Sequence, residues 1–391
     1  MSILFWYYKP IISTNGGVER VTDVLATYFK DNGYRVFFLS FEKMGIDYFM
    51  IIPQNLKGKK LRFDLERCFF VDMGVTKYEA RYRFDWSNIE RIICEMKPDI
   101  VFNNQVELTS SFRALLIKND CDAKLFTYCH YPAIHIDNGK DVIIDKSLDL
   151  NGLGENIVCN ILCSINISDV FMIQSNFAKN LLLKYSKKIN INLNKDIVVL
   201  HPPYDDQIRV DNIEKKERKK ILYNHRLYDS YGTDKFIEFV KTNHDMKFVV
   251  TDPMANRGKE REKYNNSPKQ NRNILEEMKN VSVFDGGDHK KYIDIIDDCC
   301  CAIAPYRESC VWSMSVIDCY CRGVPVVAPC IAAFEEFVPK QLLYRDVEQE
   351  KKLIIRLIED SNFWRESVLM CKRFLGGLSP ELTVKKIIRL F

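Results

Sequence analysis

Short apolar runs alternate with segments of helical apolar spacing along the whole chain, which is the signature of parallel sheets covered by crossover helices. The start of the chain sets the rule. Ile3-Leu4-Phe5-Trp6-Tyr7 is a continuous apolar run, as expected of a strand buried on both faces. A loop carries Gly16-Gly17, and Val18, Val21, Val24, Leu25, Tyr28 and Phe29 then recur at helical spacing. Gly33 stops that helix and Val36-Phe37-Phe38-Leu39 is the next strand, completing a right-handed strand–helix–strand unit. Further strands are expected at Asp99 to Phe102, Lys124 to Tyr128, Val170 to Ile173 and Ile197 to Leu200, in one N-terminal sheet.

The pattern breaks after His201-Pro202-Pro203-Tyr204, and the polar stretch Asp205 to Lys220 reads as a linker. It then restarts, with strands expected at Ile221 to Tyr223, Lys247 to Val250, Val281 to Phe284, Cys301 to Ala304 and Val324 to Ala328. Arg257 to Arg272, rich in Lys, Arg, Asn and Glu, reads as a long mobile loop, and helices follow from Asp346, the last of them over Leu382 to Phe391. A length of 391 residues suits two domains. The expected fold class is therefore α/β, with two Rossmann-like parallel-sheet domains facing a cleft at the carboxyl ends of their strands, and C-terminal helices. The boundaries are 1–205, 206–375 and a helix over 376–391 that returns to the first domain.

Composition narrows the chemistry. With 57 Lys+Arg against 53 Asp+Glu, the net charge of +4 does not by itself point to nucleic acid. The 14 cysteines are spread along the chain, several between apolar neighbours as at Cys94, Cys129, Cys301 and Cys330, and most are expected to be small buried hydrophobes. Cys159 and Cys163 lie a helical turn apart and Cys299 to Cys301 are adjacent, so no zinc-knuckle spacing occurs and no metal is expected. The adjacent acidic pairs Asp205-Asp206 and Asp297-Asp298 read as solvated. A strand-like run directly after Met1 predicts no signal peptide, and no apolar stretch is long enough to cross a membrane. Free thiols and no export signal suit the cytoplasm.

Four segments carry candidate chemistry. Gly16 and Gly17, between strand and helix, let backbone N–H groups approach an anionic or polyhydroxyl ligand, although a plain tight turn fits the same residues. The dinucleotide fingerprint and the Walker loop are both absent, which disfavours a dehydrogenase or an ATPase. His130 ends a strand before Tyr131 and Pro132, facing the cleft. There it hydrogen-bonds a sugar hydroxyl or stabilises charge near neutral pH, unless it is a satisfied structural histidine. His135 and His201 are weaker candidates. Asn224-His225-Arg226 closes the first strand of the second domain, with Gly232 close behind. Its arginine forks onto a diphosphate or pairs with a carboxylate. Ala304 to Pro329 is the most informative stretch: a loop with Arg307, Glu308 and Ser309, a helix from about Trp312 to Arg322, then Gly323 and Val324-Pro325-Val326-Val327-Ala328. Loop amides for phosphates and a carboxylate for ribose hydroxyls suit a nucleotide sugar.

On Gly-Gly-Val-Glu-Arg, the strand-end His130, the strand-end Arg226 and Gly-Val-Pro-Val-Val-Ala-Pro, the chain resembles retaining glycosyltransferases of the GT-B fold, in the glycogen-synthase-like and mannosyltransferase-like family. The resemblance implies an N-terminal acceptor domain and a C-terminal donor domain. It assigns a UDP- or GDP-sugar as donor and no other cofactor. It makes His130, Glu308 and Asp318 the candidate catalytic residues, and Gly16, Gly17, Asn224, Arg226, Gly232, Arg307, Ser309 and Cys310 the donor-binding ones, with Glu19, Tyr131 and His135 on the acceptor side. Two positions depart from the family pattern. Where it places two glutamates eight apart, this chain has Cys310 and Asp318, with Glu308 two residues earlier; where it places a lysine, Tyr231 stands beside Gly232, so that Lys235 or Arg307 is left to supply the charge.

Three functions compete. The first is transfer to a surface or lipid-linked glycan, with peripheral membrane contact through the Trp6, Tyr7, Tyr8 and Lys9 cluster. The second is glycosylation of a hydroxymethylated or otherwise modified base of DNA or tRNA, with phosphates met by Lys215 to Lys220 and by Arg257 to Arg272. The third is an inactive GT-B binding subunit.

Overall fold

The computed structural model describes residues 1–8, 16–40, 68–70, 83–137, 141–145, 154–210, 219–252, 266–285 and 289–391. Lys9, residues 215–218 of the first basic run and 257–265 of the second lie outside them. The described residues form two compact units: those up to Pro203 together with Pro380–Phe391, and Tyr204–Ser379.

The first unit is built on a seven-stranded parallel sheet. Its strands are β1 (Ser2–Trp6), β2 (Arg35–Ser40), β3 (Cys68–Phe70), β4 (Ile100–Asn103), β5 (Lys124–Cys129), β8 (Val170–Ile173) and β9 (Ile197–Val199), in the order β3-β2-β1-β4-β5-β8-β9. Helices α1 (Gly17–Asp31), α2 (Trp86–Met96), α3 (Thr109–Lys118), α4 (Gly154–Ile167) and α5 (Asn176–Lys188) make the connections. The antiparallel hairpin of β6 (Ile134–Asp137) and β7 (Asp141–Ile144) follows β5. Coverage on both faces explains the unbroken apolar run of β1, every residue of which is buried. Trp6 is fully buried against Phe112, with ring centroids 5.6 Å apart, so it is core and not the start of a membrane-facing cluster. Helix α13 (Pro380–Ile388) packs on α1, and the ring of Phe391 lies 6.1 Å from that of Phe29 and 5.3 Å from that of Phe126.

The second unit holds a six-stranded parallel sheet of β10 (Lys220–Tyr223), β11 (Lys247–Asp252), β12 (Val281–Asp285), β13 (Cys299–Ile303), β14 (Val326–Pro329) and β15 (Leu343–Tyr344), in the order β12-β11-β10-β13-β14-β15. Its helices are α6 (Thr233–Thr242), α7 (Ser267–Glu276), α8 (His289–Asp297), α9 (Met314–Cys321), α10 (Phe334–Phe337), α11 (Val347–Glu359) and α12 (Ser361–Gly376). Strand order reverses between β1 and β4 in one sheet and between β10 and β13 in the other. At such switch points the connecting helices diverge to opposite faces and leave a crevice beyond the carboxyl ends.

Several expectations need correction. The described start of the expected linker Asp205 to Lys220 packs on the second unit: Ile208 is buried and Arg322 donates to Ile208 O, while Tyr204 just before it is buried and its N donates to Leu378 O. Asp205 is buried as well, and Asp297 is an ion-pair partner of Arg322. Helix α7 occupies the end of the supposed loop, with Pro268 in its first turn and Leu275 and Asn271 facing inward. Cys129 and Cys301 are buried as expected, whereas Cys94 is exposed and Cys330 only half-buried.

Helix α11 carries a buried carboxyl, Glu350, which burial pushes up to about 7 against a hydrogen bond from Tyr344. Between pH 4.5 and 7 the folded chain keeps a proton that the unfolded chain releases, so the stabilisation present at low pH is lost as pH rises through 7. Glu350→Gln removes that dependence. Its melting midpoint, measured against wild type, is expected to be near equal at pH 4.5 and higher at pH 8, by roughly 2–4 °C for each kcal/mol recovered; equal midpoints at both pH values would refute this.

Candidate active site

In the first unit the candidates lie at two places. Gly16 is the N-cap of α1 with an extended backbone. A Cβ there would sit 2.1 Å from Glu19 Oε2, so glycine leaves room for the Glu19 carboxylate to fold back over its own helix start, where the helix dipole favours it. Glu19 is therefore buried, while Gly17 is exposed. His130 follows β5 and is half-buried. Its Nε2 lies 2.9 Å from Asn104 Oδ1 and its Nδ1 3.1 Å from Gln174 Nε2. Burial pushes its pKa down to about 3, so the expected charge stabilisation near neutral pH is corrected: the ring is neutral there. Tyr131 donates to Asp145 at the end of the β6–β7 hairpin, and His135 lies within β6. His201 Nδ1 donates to the Gln174 carbonyl oxygen at 2.7 Å.

In the second unit the candidates separate into inward and outward groups. Asn224, at the end of β10, is buried and donates to Tyr292 Oη at 3.0 Å and to Ser315 O at 3.1 Å. Tyr292 in turn donates to Asp318 Oδ2 at 3.0 Å, and Asp318 is 1% exposed. Asn224, Tyr292 and Asp318 thus tie β10, α8 and α9 together, and both candidate side chains are engaged inside the unit. Cys310 is buried too; burial pushes its thiol up to about 12, and its backbone oxygen accepts from Ala333 N. It is interior.

The outward group gathers at the β10/β13 switch point. Arg226 is exposed and makes no hydrogen bond or ion pair among the described residues. The loop that carries it is held by Asn271 of α7, which donates to Leu227 O at 3.0 Å and to Asp229 Oδ1 at 2.8 Å. Gly232 has φ +66°, and a Cβ on it would lie 2.6 Å from Tyr306 O, so this turn presses directly on the loop after β13. From that loop Arg307 donates to Tyr231 Oη at 3.0 Å, stacks 4.3 Å from the Tyr231 ring centroid and donates to Ser309 Oγ at 3.1 Å. Lys235 instead lies 3.2 Å over the Tyr306 ring, beside a cavity lined by Tyr223, Phe236, Tyr344 and Glu350. His225, between Asn224 and Arg226, is buried and neutral: burial first and the Arg307 charge second push it down to about 3. Glu308 is exposed with no partner among the described residues.

Sequence reasoning missed Asn104, Gln174, Tyr292 and Asn271. Only Asn104 left a signal, the amide run Asn103-Asn104-Gln105 directly after an apolar strand.

Comparison with known proteins places the fold. No family model matches the chain, and no curated protein matches it in sequence. Solved structures do match. A glycosyltransferase from Rickettsia africae ESF-5 aligns at 16% identity over 100% of this chain and 97% of its own, with a TM-score of 0.67. Sucrose-phosphate synthase from Thermosynechococcus elongatus aligns at 10% identity over 100% and 98%, with a TM-score of 0.75. HepE from Anabaena, in complex with UDP-glucose, aligns at 11% identity over 100% and 98%, with a TM-score of 0.69. The fold is GT-B, two Rossmann-like parallel-sheet domains with helices. Among the described residues no helix is long and apolar enough to cross a membrane.

Proposed function

We propose that this chain is a glycosyltransferase that moves a sugar from a nucleoside-diphosphate sugar, with UDP the first choice of nucleotide, to an acceptor hydroxyl with retained configuration. The observation that carries the proposal is the pair of guanidinium groups at the β10/β13 switch point. Arg226 has no carboxylate among the described residues to neutralise it, and Arg307 is aimed by Tyr231 and Ser309. Two planar cations at this place in an open sheet, one held and one unengaged, suit a diphosphate, which accepts bidentate hydrogen bonds. The UDP and UDP-glucose complexes of HepE support the choice of nucleotide.

In the reaction the bond from the sugar's anomeric carbon to the phosphate oxygen breaks, and the electron pair leaves with the diphosphate. Arg226 and Arg307 stabilise the charge that develops there. The acceptor oxygen bonds to the anomeric carbon on the face the diphosphate leaves, and the acceptor's proton passes to the departing phosphate. Glu308 holds a hydroxyl of the donor. His130, held by Asn104 and Gln174, stays neutral near pH 7.

A glycan is the proposed acceptor. Two described cations of the basic segments are already paired, Lys220 with Asp298 and Arg272 with Asp285 and Glu276, which lowers the value of these two for phosphate contacts. Incubation with UDP-glucose, UDP-N-acetylglucosamine and GDP-mannose, followed by phosphorus NMR, tests the activity. Slow release of the nucleoside diphosphate from one of them is expected even without acceptor, and no release from any donor, with or without glycan acceptors, would contradict the proposal.

A further inference from the structure

The ends of β4, β5, β8 and β9 lie side by side in the first sheet, and the residues just beyond them join into one hydrogen-bonded row. Asn104 Oδ1 lies 2.9 Å from His130 Nε2, Gln174 Nε2 lies 3.1 Å from His130 Nδ1, and His201 Nδ1 lies 2.7 Å from the Gln174 carbonyl oxygen. A carboxamide oxygen only accepts and its nitrogen only donates, so the row admits one state of the ring. The proton is on Nε2, and Nδ1 presents its lone pair to Gln174.

The same row leaves one donor over. Asn104 is 5% exposed, and its Nδ2 is buried without a partner among the described residues. Its neighbours are spent on the protein: Asn103 donates to Thr109 Oγ1 and accepts from Gln105 N, and the Gln105 side chain donates to Glu107. Buried donors in native structures are otherwise almost always paired, and a buried one left over beside a fixed imidazole is explained by an acceptor that arrives with a ligand. A carboxamide N–H donates to a lone pair of a hydroxyl oxygen, and its neutrality suits a polyhydroxyl group better than an anion.

We propose that Asn104 contacts the sugar: its Oδ1 fixes His130 as the Nε2–H tautomer, and its Nδ2 donates to a sugar hydroxyl oxygen at the carboxyl edge of the first sheet. The ligand half rests on the glycosyltransferase reading; the tautomer half does not. Two measurements test them separately.

Nitrogen NMR of the histidine-labelled protein reads the ring directly. Wild-type His130 is expected as Nε2–H at pH 7, and Gln174→Glu, whose carboxylate can only accept, is expected to draw a proton onto Nδ1. An Nδ1–H ring in the wild type, or no change in Gln174→Glu, would overturn the first half. Asn104→Asp keeps the acceptor and deletes both donors. Titrated with UDP, UDP-glucose and methyl α-glucoside, it is expected to hold UDP within about twofold of wild type while losing roughly tenfold on a sugar-bearing ligand. Loss on UDP-glucose alone assigns the contact to the donor's sugar, and loss on the glucoside to the acceptor's. Equal loss on UDP, or none on either sugar, overturns the contact. A wild-type chain that binds none of the three removes the enzyme reading and the ligand half with it, and the NMR still decides the tautomer.

Discussion

Arg226→Ala is expected to lower kcat/KM with the true nucleotide sugar by roughly a hundred- to a thousandfold while leaving the melting curve unchanged. The two halves of that expectation have separate grounds. Arg226 is exposed and unpaired among the described residues, so its removal deprives the fold of nothing that a contact shows. It also stands at the end of β10, where strand order reverses, the position at which an open parallel sheet meets its ligand. Arg226→Lys is expected to recover only part of the loss, because an ammonium cannot fork onto two phosphate oxygens. A variant with unchanged kcat/KM would move the diphosphate elsewhere.

Gly232→Ala is expected to do the opposite, damaging the fold and the site together. A side chain at φ +66° costs about 1–2 kcal/mol of backbone strain. The new Cβ would also meet Tyr306 O at 2.6 Å and Tyr306 Cβ at 2.8 Å, and overpacking of that kind adds about 1–3 kcal/mol. The loops after β10 and β13 must part, and Arg307 then loses its place on Tyr231. The internal control is Gly33→Ala. Gly33 has φ +85° and nothing within 4 Å, so strain alone applies there. Thermal unfolding should therefore rank Gly232→Ala well below Gly33→Ala. Equal midpoints would mean that the two loops are not pressed together.

The contrast between these residues and their neighbours explains what the sequence could and could not reveal. Continuous apolar runs such as Ile3 to Trp6 and Cys299 to Ile303 are legible because strands covered on both faces leave no polar alternation. Helix α7 was not, because its inward face is made by Asn271 and Leu275 under a mostly charged surface, and its order comes from hydrogen bonds to the loop after β10. The short strands β3 and β15 and the β6–β7 hairpin carry too few residues for a period to show.

At the candidate site, spacing points to loops after strands but not to the direction of the side chains. Asn224 and Arg226 are two residues apart, and one is turned into the unit while the other is exposed. Asp318 stands where the resemblance expects a ligand group, yet it is buried on Tyr292, a partner 26 residues away that no motif marks. His130 was visible as a strand-end histidine. Its neutrality was not, because that depends on burial and on two amides from other strands. In the other direction, Arg307, one of the two residues left to supply the charge absent at Tyr231, stacks on that ring and donates to its hydroxyl.

Calorimetric titration of UDP into the wild-type chain and into Arg226→Ala tests the central claim most directly, because it needs neither the acceptor nor the sugar. The account predicts one site per chain in the wild type, with affinity lost by at least roughly tenfold in the variant, as expected for a charge-assisted contact to a diphosphate. UMP, which lacks the second phosphate, should bind more weakly than UDP to the wild type and lose less in the variant. Equal affinity of wild type and Arg226→Ala for UDP, or no binding of any nucleoside diphosphate, would contradict it.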